Sequence, residues 1–410
     1  MNILQYPSTS NSIFSDYKAP TFLEIFKAPY LLFLCYLIFS VFYVFESGYP
    51  QPAHFILLIA MLITFSGYCI KSRKIRFPGT LYLLLFCGYT FVVNMIHYAF
   101  SADTSYAISS LYYIYNGSVF LFLLGLIRRS EDTYKKVIYW GVVTSVLIQS
   151  ILAFFYPVNA EEPFMGTFNS IEQISFWALA SLALLILIKY KNPLNILDYL
   201  VIALLGYIQI MTGLGLGVVI YILFCAAILF TKMVRPLHKF FILFLFVILS
   251  ILTIFNLNAI KEDSNYINFF SNYIEAHEFS ASENSALHKT TPKYEYIILG
   301  AGEGRGNQDQ PSMLDDGFTR ILLSYGAFGA FLLICTLFAI FKRVPFIGLL
   351  MLGGLLLFGL GYQNFHSTYF WIFMATAYMI ANERRNEKAY IRDFSYALKL
   401  PQQLPASSKQ

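Results

Sequence analysis

Two adjacent carboxylates followed by an arginine stand where a polar stretch of the sequence meets an apolar one. Asp315 and Asp316 end the polar stretch, and Arg320 lies four residues beyond Asp316. A carboxylate can take a proton from a hydroxyl within hydrogen-bond reach, and the planar arginine fork binds phosphate through two donors. We therefore predict Asp316 as a general base, with Asp315 in reserve, beside an anion site at Arg320. Helix capping by the acids and outward extension of Arg320 are the structural alternatives.

A glycine-rich segment lies shortly upstream of these residues. Gly300-Ala-Gly-Glu-Gly-Arg-Gly306 offers backbone N–H groups that can form an anion-binding nest. The spacing does not match nucleotide-binding loops, so the expected anion is a diphosphate clamped by Arg305 and Arg320. A flexible turn with an incidental arginine is the alternative. The predicted ligand-binding glycines are Gly302, Gly304 and Gly306.

His366 is a further candidate base, or alternatively a plain side chain at the membrane interface. No group of histidines, cysteines and acids has the spacing of a metal site, and the five cysteines all fall in or beside apolar runs. We therefore expect neither a metal nor another cofactor.

The elements that must position these groups are membrane helices. Hydrophobic residues make up 58% of the chain and charged residues only 12%, against about 45–50% and about 25% in soluble domains. Such a chain has too little polar surface for a soluble globule and too few charges for disorder. We predict an all-α, polytopic integral membrane protein.

About 12 transmembrane helices are expected, since each needs about 20 apolar residues. The run at 199–212 is short and leads at once into Thr212-Gly-Leu-Gly-Leu-Gly217, so two helices are expected to meet there, below the outer surface. Such a break borders a cavity or allows a close helix contact. The predicted spans are 28–45, 53–70, 77–99, 106–127, 137–156, 173–188, 199–212, 215–231, 240–258, 318–341, 344–361 and 367–381.

Lysine and arginine are distributed unevenly between the two sides of this arrangement. Twenty-three of the 28 fall in alternate connections and at the two ends, whereas the other side has five of them and 15 of the 23 acids. Because positive residues stay on the cytoplasmic side, both termini are predicted to be cytoplasmic. The net charge of +5 is thus a topology signal, and no nucleic-acid partner is expected.

This topology divides the chain into five parts. They are a cytoplasmic N-terminal segment (1–27), nine spans (28–258), one long external loop (259–316), three spans (317–381) and a cytoplasmic tail (382–410). The acids, the glycine segment and Arg320 would all lie at the outer surface.

The order of these features resembles the O-antigen polymerase and O-antigen ligase superfamily. The similarity lies in the long external loop, a Gly-x-Gly segment, Asp-Gly-Phe-Thr-Arg-Ile-Leu-Leu-Ser-Tyr-Gly-Ala-Phe-Gly (316–329) and Phe164-Met-Gly-Thr-Phe-Asn169. Ligases of the superfamily have His-Asn where this chain has Asp315-Asp316, which favours a polymerase-like member. Many members also have Ser-Arg where this chain has Thr212-Gly213, so one expected cationic contact is missing or comes from elsewhere.

The resemblance implies a metal-independent glycosyl transfer at the outer face of the bacterial plasma (inner) membrane. A glycan on undecaprenyl diphosphate is the donor, and a lipid-linked repeat unit of O-antigen, capsule or exopolysaccharide is the acceptor. Arg305, Arg320 and the glycines would hold the diphosphate, with Asn169 and Glu172 among the substrate-binding groups. Implied partners are the lipid bilayer and the chain-length regulator and flippase of the same pathway.

Two other functions stay open. A surface-polysaccharide ligase would transfer the glycan to a different acceptor. A lipid-linked oligosaccharide flippase or transporter would have related halves and polar groups deep in several spans, and the sequence suggests neither.

Overall fold

The computed structural model describes residues 27–45, 50–70, 79–156, 163–229, 298–303, 317–342, 344–359 and 364–399. Within these ranges the chain is helical and contains no strand. The helices are α1 (Ala28–Phe39), α2 (Pro52–Ile70), α3 (Thr80–Ser101), α4 (Thr104–Arg129), α5 (Glu131–Phe155), α6 (Ile171–Ile188), α7 (Ile196–Met211), α8 (Gly215–Leu229), α9 (Gly317–Phe341), α10 (Phe346–Phe358) and α11 (Thr368–Lys399), with a 3-10 turn (Asn364–His366) before α11.

Five of these helices are long and apolar enough to cross a membrane, by length and composition: α3, α4, α5, α6 and the Arg320–Phe341 part of α9. Other apolar helices, α1, α7, α8, α10 and the Pro52–Ser66 part of α2, are shorter. Eleven of the twelve predicted spans coincide with a helix. The remaining predicted span, 240–258, lies outside the described residues, as does most of the predicted loop 259–316.

Two helix ends differ from the prediction. α1 stops at Phe39 rather than near residue 45, because the Gln51 side chain accepts hydrogen bonds from the backbone N–H groups of Val44 and Phe45 and holds an extended turn there. α11 continues to Lys399, well beyond residue 381, because no proline or glycine interrupts the chain before Pro401.

The centre of the bundle is formed by α6 and the first part of α11. α6 is buried from Gln173 to Ile188 and contacts α5, α7, α8, α10 and α11. Its sequence is apolar on all sides, as a helix surrounded by others requires. The outer helices expose apolar side chains instead, including Phe55, Leu62 and Leu81. Such a surface is typical of contact with lipid.

One end of the bundle is held by ion pairs. Lys135 Nζ lies 2.7 Å from Glu131 and 2.8 Å from Glu383, and Lys191 Nζ lies 3.3 Å from the same Glu383 carboxylate. The start of α5, the turn after α6 and the middle of α11 therefore meet at this end. Three segments that the charge distribution assigns to one side of the membrane are thus found together.

Candidate functional site

A break in α9 shapes the site. Gly326 has φ 63° and ψ −175°, a conformation open to glycine but strained for other residues. A Cβ here would overlap the Ile298 carbonyl and lie 2.8 Å from the Gly300 nitrogen. Gly300 also has a positive φ, 86°, and a Cβ on it would overlap the Ser324 carbonyl. The segment 298–303 therefore contacts α9 backbone to backbone.

Two hydrogen bonds fasten this segment. Ala301 N donates to Leu323 O and Gly302 N donates to Ser324 O, each over 2.9 Å. The carbonyls just before the break in α9 thus accept from another part of the chain. The sequence predicts that the Gly302 N–H donates to a bound anion. In the structure this N–H instead donates to Ser324 O and holds the segment on α9. Gly304 and Gly306 lie outside the described residues.

Glu303, at the end of the docked segment, joins the candidate residues. Its side chain is 2% exposed, and Arg320 Nε donates to Oε1 over 2.6 Å. At Oε2 the Tyr325 hydroxyl donates over 2.9 Å and His366 Nε2 lies at 3.2 Å. The backbone N–H of Glu303 donates to Asn94 Oδ1 over 2.8 Å, and Asn94 Nδ2 donates to the Tyr325 hydroxyl over 3.0 Å. Both carboxylate oxygens and the backbone N–H of Glu303 therefore have partners.

The surroundings of Glu303 keep it ionised. Burial by itself raises the pKa of the carboxyl. Proximity and hydrogen bonding to His366, the charge of Arg320 and the Tyr325 hydroxyl outweigh burial, and together they lower the pKa of Glu303 to about 2. The group is therefore a carboxylate at neutral pH and accepts hydrogen bonds only.

His366 is held by aromatic and polar contacts. Its ring stacks on Tyr112, with centroids 5.5 Å apart and planes within 10°, and meets Tyr113 edge-on at 5.0 Å. Asn116 Nδ2 donates to the His366 carbonyl over 3.0 Å, and the Thr368 hydroxyl donates to Asn116 Oδ1. The side chain remains 20% exposed. The imidazole is thus fixed in place and still accessible.

Arg320 presents one edge of its guanidinium group to Glu303. The contact with Glu303 uses Nε, and no hydrogen bond joins Nη1 or Nη2 to any residue in the part of the chain that the structure describes. The side chain is 25% exposed. A pair of parallel N–H donors is therefore available to an anion. Asp315, Asp316 and Arg305, the other predicted groups near Arg320, lie outside the described residues.

Asn169 and Glu172 occupy a different place. Asn169 Nδ2 donates to Phe45 O over 2.8 Å, and Thr167 O accepts from Tyr43 N over 3.0 Å. Glu172 lies partly buried in the first turn of α6. Segment 164–169 thus anchors the turn after α1. Among the described residues, no hydrogen bond or ion pair links Asn169 or Glu172 to Glu303, Arg320 or His366.

The role of Glu303 is not predicted from the sequence. The glycine-nest interpretation gives this residue no part of its own, although a single acid flanked by glycines is a usable signal. The sequence also gives no sign that the amide side chains of Asn94, Asn116, Gln149 and Gln209 are fully buried in four helices. Apolar periodicity hides such residues because one amide changes it little.

Within the described ranges, no group of three or more His, Cys, Asp and Glu residues is arranged to hold a metal ion. No model of a protein family matches the chain, and a comparison with curated proteins finds no significant match. The chemistry of the Glu303, Arg320 and His366 side chains, called the Glu303 cluster below, is therefore the basis for assigning a function.

Proposed function

We propose that this protein polymerises undecaprenyl-diphosphate-linked oligosaccharide repeat units at the outer face of the bacterial plasma membrane. The observation that carries the proposal is the Glu303 cluster, in which an open arginine edge and an accessible imidazole share one buried carboxylate. An anion-binding group and a proton acceptor at one place suit a transfer with an anionic leaving group.

The reaction needs both groups. The acceptor hydroxyl oxygen forms a bond to the anomeric carbon of the donor sugar, while the bond from that carbon to the diphosphate breaks. The Nη donors of Arg320 stabilise the negative charge that develops on the departing diphosphate. His366 accepts the hydroxyl proton. The sequence also predicts Asp316 as an alternative base. It predicts Arg305 as a second contact for the diphosphate.

The position of the cluster fits catalysis at the outer face. His366 lies next to the start of α11, and Glu383 lies 15 residues after Thr368 on the same helix. At about 1.5 Å per residue, the ion-paired end is about 22 Å away along α11. If that lysine-rich end is cytoplasmic, the Glu303 cluster lies in the outer half of the membrane, whose hydrocarbon core is about 30 Å thick. The proposed topology has twelve spans and both termini in the cytoplasm.

A strain that lacks this protein tests the proposal. With its ligase intact, the strain should carry single repeat units on the external acceptor instead of long polymer, and a plasmid copy should restore the polymer. Absence of single capped units would refute polymerase activity. Purified protein in liposomes should lengthen lipid-linked repeat units without added metal, and chelator should not inhibit it.

Transport is the second candidate, because buried amides and the Glu303 carboxylate provide polar groups between helices. A lipid-linked oligosaccharide flippase predicts a different phenotype. Its loss leaves no repeat units on the external acceptor and strands the lipid-linked units inside. The deletion strain therefore separates the two candidates by where the single units are found.

A further inference from the structure

We propose that Glu303 is a positioning residue that holds the proton of neutral His366 on Nε2 and leaves Nδ1 as the proton acceptor. The kinetic part of this inference rests on the proposed function. Its structural part concerns only Glu303, His366 and Arg320 and holds for any substrate.

The donor and acceptor inventory of the pair determines the tautomer. Glu303 Oε2 lies 3.2 Å from His366 Nε2. A carboxylate has no proton to give, so Nε2 must carry the shared hydrogen. A neutral imidazole has a single N–H, which leaves the lone pair on Nδ1. The contacts of the ring with Tyr112 and Tyr113 restrain it from rotating away.

The same carboxylate orients Arg320. Oε1 accepts from Nε over 2.6 Å, so the guanidinium is held by one edge and its Nη donors point elsewhere. Among the described residues, Tyr325 on α9 and Tyr112 and Tyr113 on α4 are further titratable groups that face this carboxylate. One buried group thus places both a base and an anion-binding fork.

Replacing this carboxylate by an amide separates the two tasks. Gln at 303 has a single acceptor oxygen, whereas Arg320 Nε and His366 Nε2 each need one. With the oxygen on Arg320, the amide NH2 faces His366, and the imidazole must accept through Nε2 and carry its proton on Nδ1. The Tyr325 hydroxyl can then accept from the amide. Glu303→Gln should therefore preserve anion binding and remove the base.

Nitrogen NMR of histidine-labelled protein in liposomes tests the tautomer directly. The spectrum of His366→Gln identifies the His366 signals among the six histidines. At a pH where His366 is neutral, wild-type protein and Glu303→Asp should show Nε2–H, and Glu303→Gln should show Nδ1–H. A neutral wild-type His366 protonated on Nδ1 would overturn the inference even if no variant folds.

Kinetics test the consequence for catalysis. Glu303→Gln should lower kcat by about 10²- to 10⁴-fold, the usual contribution of a correctly protonated base, with little change in KM for the lipid-diphosphate donor. Glu303→Asp keeps the charge and both acceptor oxygens and should recover part of the rate. Glu131→Gln is the matched control, since it removes a partly buried, ion-paired carboxylate beyond the opposite end of α4.

The two assays separate the two hypotheses. Wild-type protein with the expected tautomer but no polymerase activity would refute the proposed function and leave the role of Glu303 standing. Full activity of Glu303→Gln in an active preparation would refute the positioning role and leave the function standing. A KM increase with unchanged kcat would also refute it, because the residue would then serve donor binding alone.

Discussion

Gly326→Ala should undock the segment that carries Glu303. An alanine at φ 63° and ψ −175° is strained by about 1–3 kcal/mol, and its Cβ would overlap the Ile298 carbonyl. The bonds from Ala301 and Gly302 to α9 are lost when either protein undocks, so they do not change the difference between the two. The strain burdens the docked state alone and lowers the docked-to-undocked ratio by about 5- to 150-fold, and the overlap with Ile298 lowers it further.

Amide hydrogen exchange measures this docking. The Ala301 and Gly302 amides should exchange slowly in wild-type protein and much faster in Gly326→Ala, with polymer synthesis reduced in parallel. Gly353→Ala in α10 is the control, since a Cβ there has no heavy atom within 4 Å, and it should match wild type in exchange and activity. Unchanged exchange of residues 301–302 in Gly326→Ala would refute the backbone contact described above.

Three further predictions concern the side chain of Arg320, the pH dependence of stability and the membrane topology. Arg320→Ala should abolish polymer synthesis in membranes that contain normal amounts of protein, and Arg320→Lys, which keeps the charge but loses the fork, should retain about a hundredth of the rate. Because the pKa of Glu303 is lowered from 4.5 to about 2, its stabilising contribution is present above pH 4.5 and lost as the pH falls toward 2. Thermal stability in detergent should therefore show an acid-induced decrease that Glu303→Gln lacks. Cysteine at Ser282 should react with a membrane-impermeant thiol reagent in whole cells, and cysteine at Ser130 should not.

The positions of the helices could be predicted from the sequence, because a membrane helix needs a long apolar run and little else. The break between α7 and α8 was also predictable, since Gly213 and Gly215 weaken the helix there. The end of α1 was not, because it depends on the side chain of Gln51, which belongs to the next helix. Contacts of that kind leave no periodic pattern.

The candidate site was only partly predictable for a similar reason. Arg320 and His366 stood out by residue type, but nothing local indicated that they share a partner. That partner is positioned by carbonyls of Leu323 and Ser324 next to the break at Gly326. Backbone groups carry no residue-specific signal, and the residues they bring together are far apart in sequence. Residue chemistry therefore identified the charged groups and missed the carboxylate between them.

The arrangement of charges in the cluster explains why it would select an anion. The negative charge of Glu303 is buried, whereas Arg320 is one-quarter exposed and its Nη groups make no hydrogen bond to the described residues. With His366 neutral the net charge is zero, yet the accessible side presents positive charge and N–H donors. Burying the carboxylate costs free energy that its three partners, Arg320, Tyr325 and His366, offset. This cost is consistent with a site in which Glu303 orients the groups that meet the substrate and makes no contact with the substrate itself.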